Sequence, residues 1–283
     1  MDDANRPRPR GPWDREPVVA PPAKPPVRRR TSASSNEDKG QGIGWAILST
    51  VLLGGFIWFI SGQWIIAVAI VFGVFVHEYG HVLAMNRYGM GPAKLYIVPF
   101  FGGLAKGQRA ASSEWHGVLV SLAGPAVGLL AAAPFFALYA VLGGNAWLIG
   151  AAAIAALNLI NLAPAPPLDG SKAIGPVLAR IHPKLEQGAM ILIGVLIVWW
   201  GISTGRWILA AFLCIALIGH LKRGAWRPEG RRLSARESWS SVGLFVATAA
   251  ACAGVGLLAL WLFAGRSMSG ALHVAGAYLG IGA

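Results

Sequence analysis

Seven runs of apolar residues, separated by short polar or glycine-bearing breaks, set the plan of this chain. They cover about 43–60, 64–86, 116–142, 146–163, 188–203, 206–221 and 242–264. A helix needs roughly 20 residues to cross a ~30 Å hydrocarbon layer at ~1.5 Å per residue. Most runs reach that length, so the pattern predicts an all-α polytopic membrane protein with about seven transmembrane helices. The fifth and sixth runs are short, and read as tilted partners or one re-entrant pair. Breaks at 61–63, 143–145 and 204–205 leave room only for tight helical hairpins.

Residues 1–41 break the pattern. Pro and Arg alternate from Arg6 to Arg10, a triple arginine follows at Arg28–Arg30, and no apolar period exists. Such a segment cannot bury a core and is expected to be a disordered, basic cytosolic tail drawn weakly to anionic lipid. The first apolar run starts too late for a cleavable signal peptide. Six acidic residues between Asp2 and Asp38 argue against a transit peptide.

Composition agrees with a membrane chain: 55% of residues are hydrophobic, 13% are charged, and the mean hydropathy is +0.56. The net charge of +12 would suit a nucleic-acid partner if it lay on one face. Instead, 22 of the 24 Lys and Arg fall in the tail, in 87–114, in 164–187 and in 222–241, leaving Arg206 and Arg266 on the other side. That bias predicts the N-terminus in the cytosol, the C-terminus outside, the lipid bilayer as partner and no nucleic acid. Trp58, Trp64, Trp147, Trp199, Trp200 and Trp207 fall near outer span ends, as an aromatic belt would. Cys214 and Cys252 sit in apolar runs without metal or disulfide spacing.

The second run carries the chemistry. Apart from tyrosine, its only ionisable side chains between Trp64 and Ala84 are His77, Glu78 and His81. Histidines four apart share one helix face and can ligate one ion, while Glu78, about 100° away, is free to take a proton from an attacking water. A carboxylate in a membrane span costs roughly 2.5–3.5 kcal/mol on insertion scales, so it marks function by default. His116, His182, His220 and His273 sit at span ends or in links and read as solvated rings. His116 is the first alternative ligand.

The fourth run ends in Asn158-Leu-Ile-Asn161-Leu-Ala-Pro164-Ala-Pro-Pro-Leu-Asp169-Gly170. Three prolines in four residues break the helix, and broken backbone at membrane depth is tolerated only inside protein or along a cavity. Gly170 is expected to let the chain turn sharply. Both inward-running spans place Asp169 and the histidine pair on the same side, so Asp169 is a candidate third ligand. A plain proline-rich helix exit is the alternative.

Together these motifs resemble the site-2 proteases, intramembrane zinc metalloproteases. The resemblance rests on His77-Glu78-x-x-His81 and Asn161-x-x-Pro164-x-x-x-x-Asp169-Gly170 on separate spans, and covers about 64–175. It implies one Zn2+ held by His77, His81 and Asp169, Glu78 as general base, and Asn161, with Pro164 and Gly170, supporting the substrate or the site's backbone. It implies a three-helix catalytic core and a small β-hairpin dipping toward the site, here Leu95–Ala105 around Gly102-Gly103, whose edge pairs with extended substrate. Ala123-Gly124-Pro125 resembles the family's Gly-Pro element. The family usually has Asn three residues after that proline, where this chain has Gly128, and Asn158 is the candidate substitute.

The expected organisation is then a tail (1–41), an extra N-terminal helix (42–63), the protease core (64–175), accessory helices (176–221), a basic cytosolic loop (222–241), and a last span with a short outer tail (242–283). No stretch reads as an inserted soluble module. The function implied is cleavage within the transmembrane segment of a membrane-tethered, regulatory protein substrate, in a bacterial inner membrane. A transporter or ion pathway is the rival, and an inactive protease-like scaffold the next. Against the first, one metal site accounts for both Glu78 and Asp169, and no internal repeat is visible. Against the second, the motif is complete.

Overall fold

A computed structural model of the chain describes residues 40–100, 102–223 and 230–280. Nearly all of the expected tail, the middle of the 222–241 loop and Phe101 lie outside the described residues. What is described is mostly helical, in the order α1 (Ile43–Ser61), α2 (Trp64–Arg87), β1 (Lys94–Val98), β2 (Gly102–Lys106), α3 (Glu114–Gly128), α4 (Ala133–Leu142), α5 (Asn145–Asn161), α6 (Asp169–Ile181), α7 (Pro183–Ser203), α8 (Trp207–Arg223), α9 (Ala235–Phe263) and α10 (Met268–Leu279). A single 3-10 turn at Leu129–Ala132 joins α3 to α4, after Pro125 has removed a backbone donor from α3.

Among the described residues, five helices are long and apolar enough to cross a membrane: α1, α2, the α3–α4 unit, α7 and α9. The helical membrane architecture is as expected, whereas the count of seven spans is not confirmed. The fourth and sixth runs form shorter apolar helices, α5 and α8. The 17 residues of α5 reach only about 25 Å, because the chain leaves the helix after Asn161 for the proline segment. The fifth run is longer than its apolar stretch suggests, since Pro183 starts α7 at the first helical turn, where the missing N–H costs nothing. The hairpins are as tight as expected, with Gly62 and Gly205 at φ 67° and 74°.

Helix α2 lies at the centre. Half of its apolar window is buried within the protein, against 11% for α1 and for α9. Its first half packs Ile65 and Ala69 into a cluster with Ala131, Phe135, Ala151 and Ile154. Its second half meets α3 so closely that a Cβ on Gly80 would lie 2.5 Å from the Ala123 carbonyl oxygen. Lipid tails give helices no hydrophobic reason to associate, so close backbone approach through small residues supplies the packing.

The hairpin is antiparallel, with Ile97 opposite Gly103. Ile97 donates its N–H to Gln41 Oε1 at 2.9 Å and accepts from Gln41 Nε2 at 2.9 Å. A side-chain amide thus takes the place of a neighbouring strand on the outer edge of β1. Ile97 and Gly103 therefore form a non-hydrogen-bonded pair, and Gly103 turns its own N–H and C=O to the opposite edge.

Two differences concern the ends of the last span. Helix α9 starts at Ala235 rather than 242, held by a reciprocal Ser234–Glu237 capping box. The preceding segment is tied down by Glu114, which accepts from the Leu233 N–H at 2.9 Å, and by Arg180, which donates to the Leu233 carbonyl at 2.8 Å. The expected outer tail contains α10, docked by Trp200 and Arg206 on the Leu279 and Tyr278 carbonyls.

Candidate metal centre

The i, i+4 spacing on α2 brings the two imidazoles together as expected. His77 and His81 are both buried, with their Nε2 atoms 3.1 Å apart. Asp169, the first residue of α6, sends Oδ2 to 3.1 Å from each Nε2. The other side of each ring is occupied. His81 Nδ1 donates to the Val120 carbonyl at 2.8 Å, and His77 Nδ1 donates to Asn158 Oδ1 at 2.9 Å. With its proton on Nδ1, a neutral imidazole presents a lone pair at Nε2.

Two ring nitrogens and a carboxylate oxygen thus converge among buried residues, and with both rings neutral a cation between them would satisfy all three. Their spacing suits zinc. Donors about 2.0–2.1 Å from a tetrahedral ion stand about 3.3 Å apart, close to the 3.1 Å found here. Among the described residues, these three form the one group of His, Cys, Asp or Glu able to hold a metal ion. Three protein donors are the number that catalytic zinc sites use, whereas structural ones use four.

Glycines make the space. A Cβ on Gly124 would lie 2.4 Å from His81 Nε2 and 2.9 Å from His77 Nε2, so α3 can pass the two imidazoles only with no side chain there. Gly103 of β2 plays the same part for Glu78, whose Cγ lies 2.3 Å from where its Cβ would be. The hairpin is thus laid directly against the carboxylate. Gly102, at φ 108°, serves the turn, and a Cβ there would meet nothing within 4 Å. Gly170 has a different reason from the one expected. It lies inside α6 rather than at a sharp turn, and a Cβ there would fall 2.0 Å from the Leu162 carbonyl oxygen.

The proline segment folds as a tight set of turns, with Leu162, Ala165 and Leu168 buried and Pro164 half-buried. It sets the first turn of α6 beside α2. Asn161 ends α5 and donates its amide to the Leu157 carbonyl at 3.0 Å. The amide that reaches the histidines belongs to Asn158, one turn earlier and fully buried. Gly128 faces the same place: its Cβ would lie 2.3 Å from Asn158 Oδ1. His116 stands apart, bonded to Ser112 Oγ at 2.9 Å and stacked on Tyr88.

Sequence reasoning missed Lys172. Its Nζ lies 3.8 Å from Asp169 Oδ1, while Oδ2 is the oxygen 3.1 Å from the histidines. The signal was available, since a lysine three residues after an aspartate on a helix shares its face.

Comparison with known proteins agrees with the geometry. Residues 65–156 match the model of Peptidase family M50, a stretch that holds both histidines, Glu78 and the Gly124-Pro125 element but ends before Asp169. A protein of Synechocystis sp. (strain ATCC 27184 / PCC 6803 / Kazusa) named "Putative zinc metalloprotease sll0528" is 30% identical over 165 residues, covering 54% of this chain. The chain spans 42% of that relative's length. No solved structure matches. The resemblance to the site-2 proteases, read from two short motifs, is borne out.

Proposed function

We propose, on the premise that residues 65–156 carry the core of Peptidase family M50, that this chain is an intramembrane zinc endopeptidase acting on the transmembrane segment of a membrane-tethered protein. The observation that carries this reading is the convergence of His77 Nε2, His81 Nε2 and Asp169 Oδ2, 3.1 Å from one another, inside an apolar helix bundle, with Glu78 beside them. A structural zinc site closes its coordination with four protein ligands; three ligands and a neighbouring carboxylate suit hydrolysis.

Zinc, when bound, supplies the Lewis acidity that acidifies a water and polarises a scissile carbonyl. The chain's residues do the rest. Glu78 accepts the proton of the attacking water and delivers it to the leaving amine nitrogen, as general base and then general acid. His77 and His81 hold their Nε2 lone pairs toward the site because Asn158 and Val120 occupy their Nδ1 protons. The edge of β2 holds the substrate. Gln41 closes the edge of β1 at Ile97, whereas Gly103 offers N–H and C=O outward while packing on Glu78. An extended peptide added there lies with its carbonyls beside the carboxylate. Substrate helix must unwind first, which favours segments rich in weak helix formers.

With the N-terminus in the cytosol, α2 runs inward and His77 lies thirteen residues after Trp64. At ~1.5 Å per residue this is about 20 Å into a ~30 Å layer, in its cytosolic third. Cleavage there leaves a cytosolic product with little hydrophobic length, free to leave the membrane, which is the output a signalling protease needs. The test compares protein termini in membranes from cells making the wild type or Glu78→Gln. New termini specific to the wild type should fall in the cytosolic third of a substrate span. Termini in the outer third would overturn the assigned topology.

A further inference from the structure

Asn158 is a polar side chain beside the metal centre, fully buried on α5 and flanked in sequence by Leu157 and Leu159. An amide buried in an apolar bundle costs free energy unless its groups are paired, so its placement needs a reason. Its orientation is settled by its own helix. Nδ2 donates to the Ile154 carbonyl at 2.9 Å, a position an acceptor oxygen could not take. Oδ1 must then be the atom facing His77 Nδ1 at 2.9 Å, and the imidazole must be the donor.

The space for this contact is provided by a third helix. A Cβ on Gly128 of α3 would fall 2.3 Å from Asn158 Oδ1 and 3.0 Å from the His77 Cβ. Three helices thus converge on one hydrogen bond: α2 brings the ring, α5 the acceptor, and α3 the missing side chain. His81 donates the equivalent bond to the Val120 main-chain carbonyl, which no substitution can remove. His77 depends on a replaceable side chain.

We infer that Asn158 is a positioning residue for the metal centre, fixing the ring angle and tautomer of His77 so that Nε2 meets the ion, with Gly128 as the clearance that admits it. The inference deepens the proposed zinc site and rests on that reading. Partners that orient a ligating histidine typically contribute 10–100-fold to metal affinity.

The test uses detergent-purified full chain and two variants of similar volume, Asn158→Leu and Asn158→Asp. The readouts are the zinc dissociation constant, by competition with a chromophoric chelator, and the visible spectrum of the cobalt(II)-substituted protein. Leucine removes the acceptor, and should weaken zinc about 10–100-fold and alter the cobalt bands. Aspartate keeps an acceptor for His77 Nδ1, and should hold zinc more tightly than the leucine variant and preserve the bands. A packing role predicts the reverse order, since leucine suits an apolar bundle and a buried carboxylate does not. Zinc affinity in Asn158→Leu equal to wild type, or lower in Asn158→Asp than in Asn158→Leu, overturns the inference. If the leucine variant does not accumulate, Gly128→Ala makes the same test by pushing the amide off the ring, and unchanged affinity there overturns it equally. A wild-type chain that binds no zinc removes the proposed site and this inference together, whereas a zinc-binding wild type with indifferent variants removes the inference alone.

Discussion

Glu78→Gln is expected to give a folded, zinc-loaded protein whose proteolysis falls by at least about a hundredfold, the lower range of what a positioned general base contributes. The substitution keeps the shape of a side chain packed against Gly103, so the hairpin has no cause to move. Zinc should stay, because Glu78 lies outside the group formed by His77, His81 and Asp169. What is lost is the capacity to accept the water proton and return it to the leaving amine. Turnover of a reconstituted transmembrane substrate, measured alongside zinc content, separates the two roles. Loss of zinc would make Glu78 a ligand; near wild-type turnover would remove it from the mechanism.

Asp169→Ala should act the other way, on the metal first. It removes the anionic donor and leaves two neutral imidazoles, too few ligands for a stable site. It also leaves Lys172, now 3.8 Å from Asp169 Oδ1, without that carboxylate and close to the incoming cation. Loss of a ligand should exceed the 10–100-fold cost of losing a residue that merely orients one, so zinc affinity is expected to fall by more than about a hundredfold. Activity should fall with it. The check is equilibrium zinc binding at defined free zinc. Undiminished affinity would place the third ligand elsewhere, and His116, already bonded to Ser112, would have to leave that partner to supply it.

The features legible in the sequence were those that depend on spacing along one element. Histidines at i and i+4, a carboxylate beside them and a run of prolines before Asp169 have local consequences that the fold cannot easily change. Apolar runs located the helices, but not how long each would be. Length depends on ends, and two end signals were passed over: Pro183 at the start of α7 and the Ser234-x-x-Glu237 capping box at the start of α9. The choice between Asn158 and Asn161 could not be made from the sequence. Both lie on α5 three residues apart, and only the packing of α5 on α2 decides which one meets His77. The glycines were visible as residues but not as reasons. That Gly124 clears the histidines, Gly103 clears Glu78 and Gly170 clears the Leu162 carbonyl depends on contacts between elements far apart in the chain. The Gln41 bracket on Ile97, across 56 residues, is of the same kind.

The central claim is that His77, His81 and Asp169 together hold one catalytic zinc within the membrane. Its most direct test is the metal content of the chain purified in mild detergent without chelators, by element-resolved mass spectrometry, beside a His77→Ala/His81→Ala blank. The account predicts about one zinc per wild-type chain and none above background in the blank, as three converging ligands require. Zinc absent from the wild type, or retained in full by the blank, would contradict it.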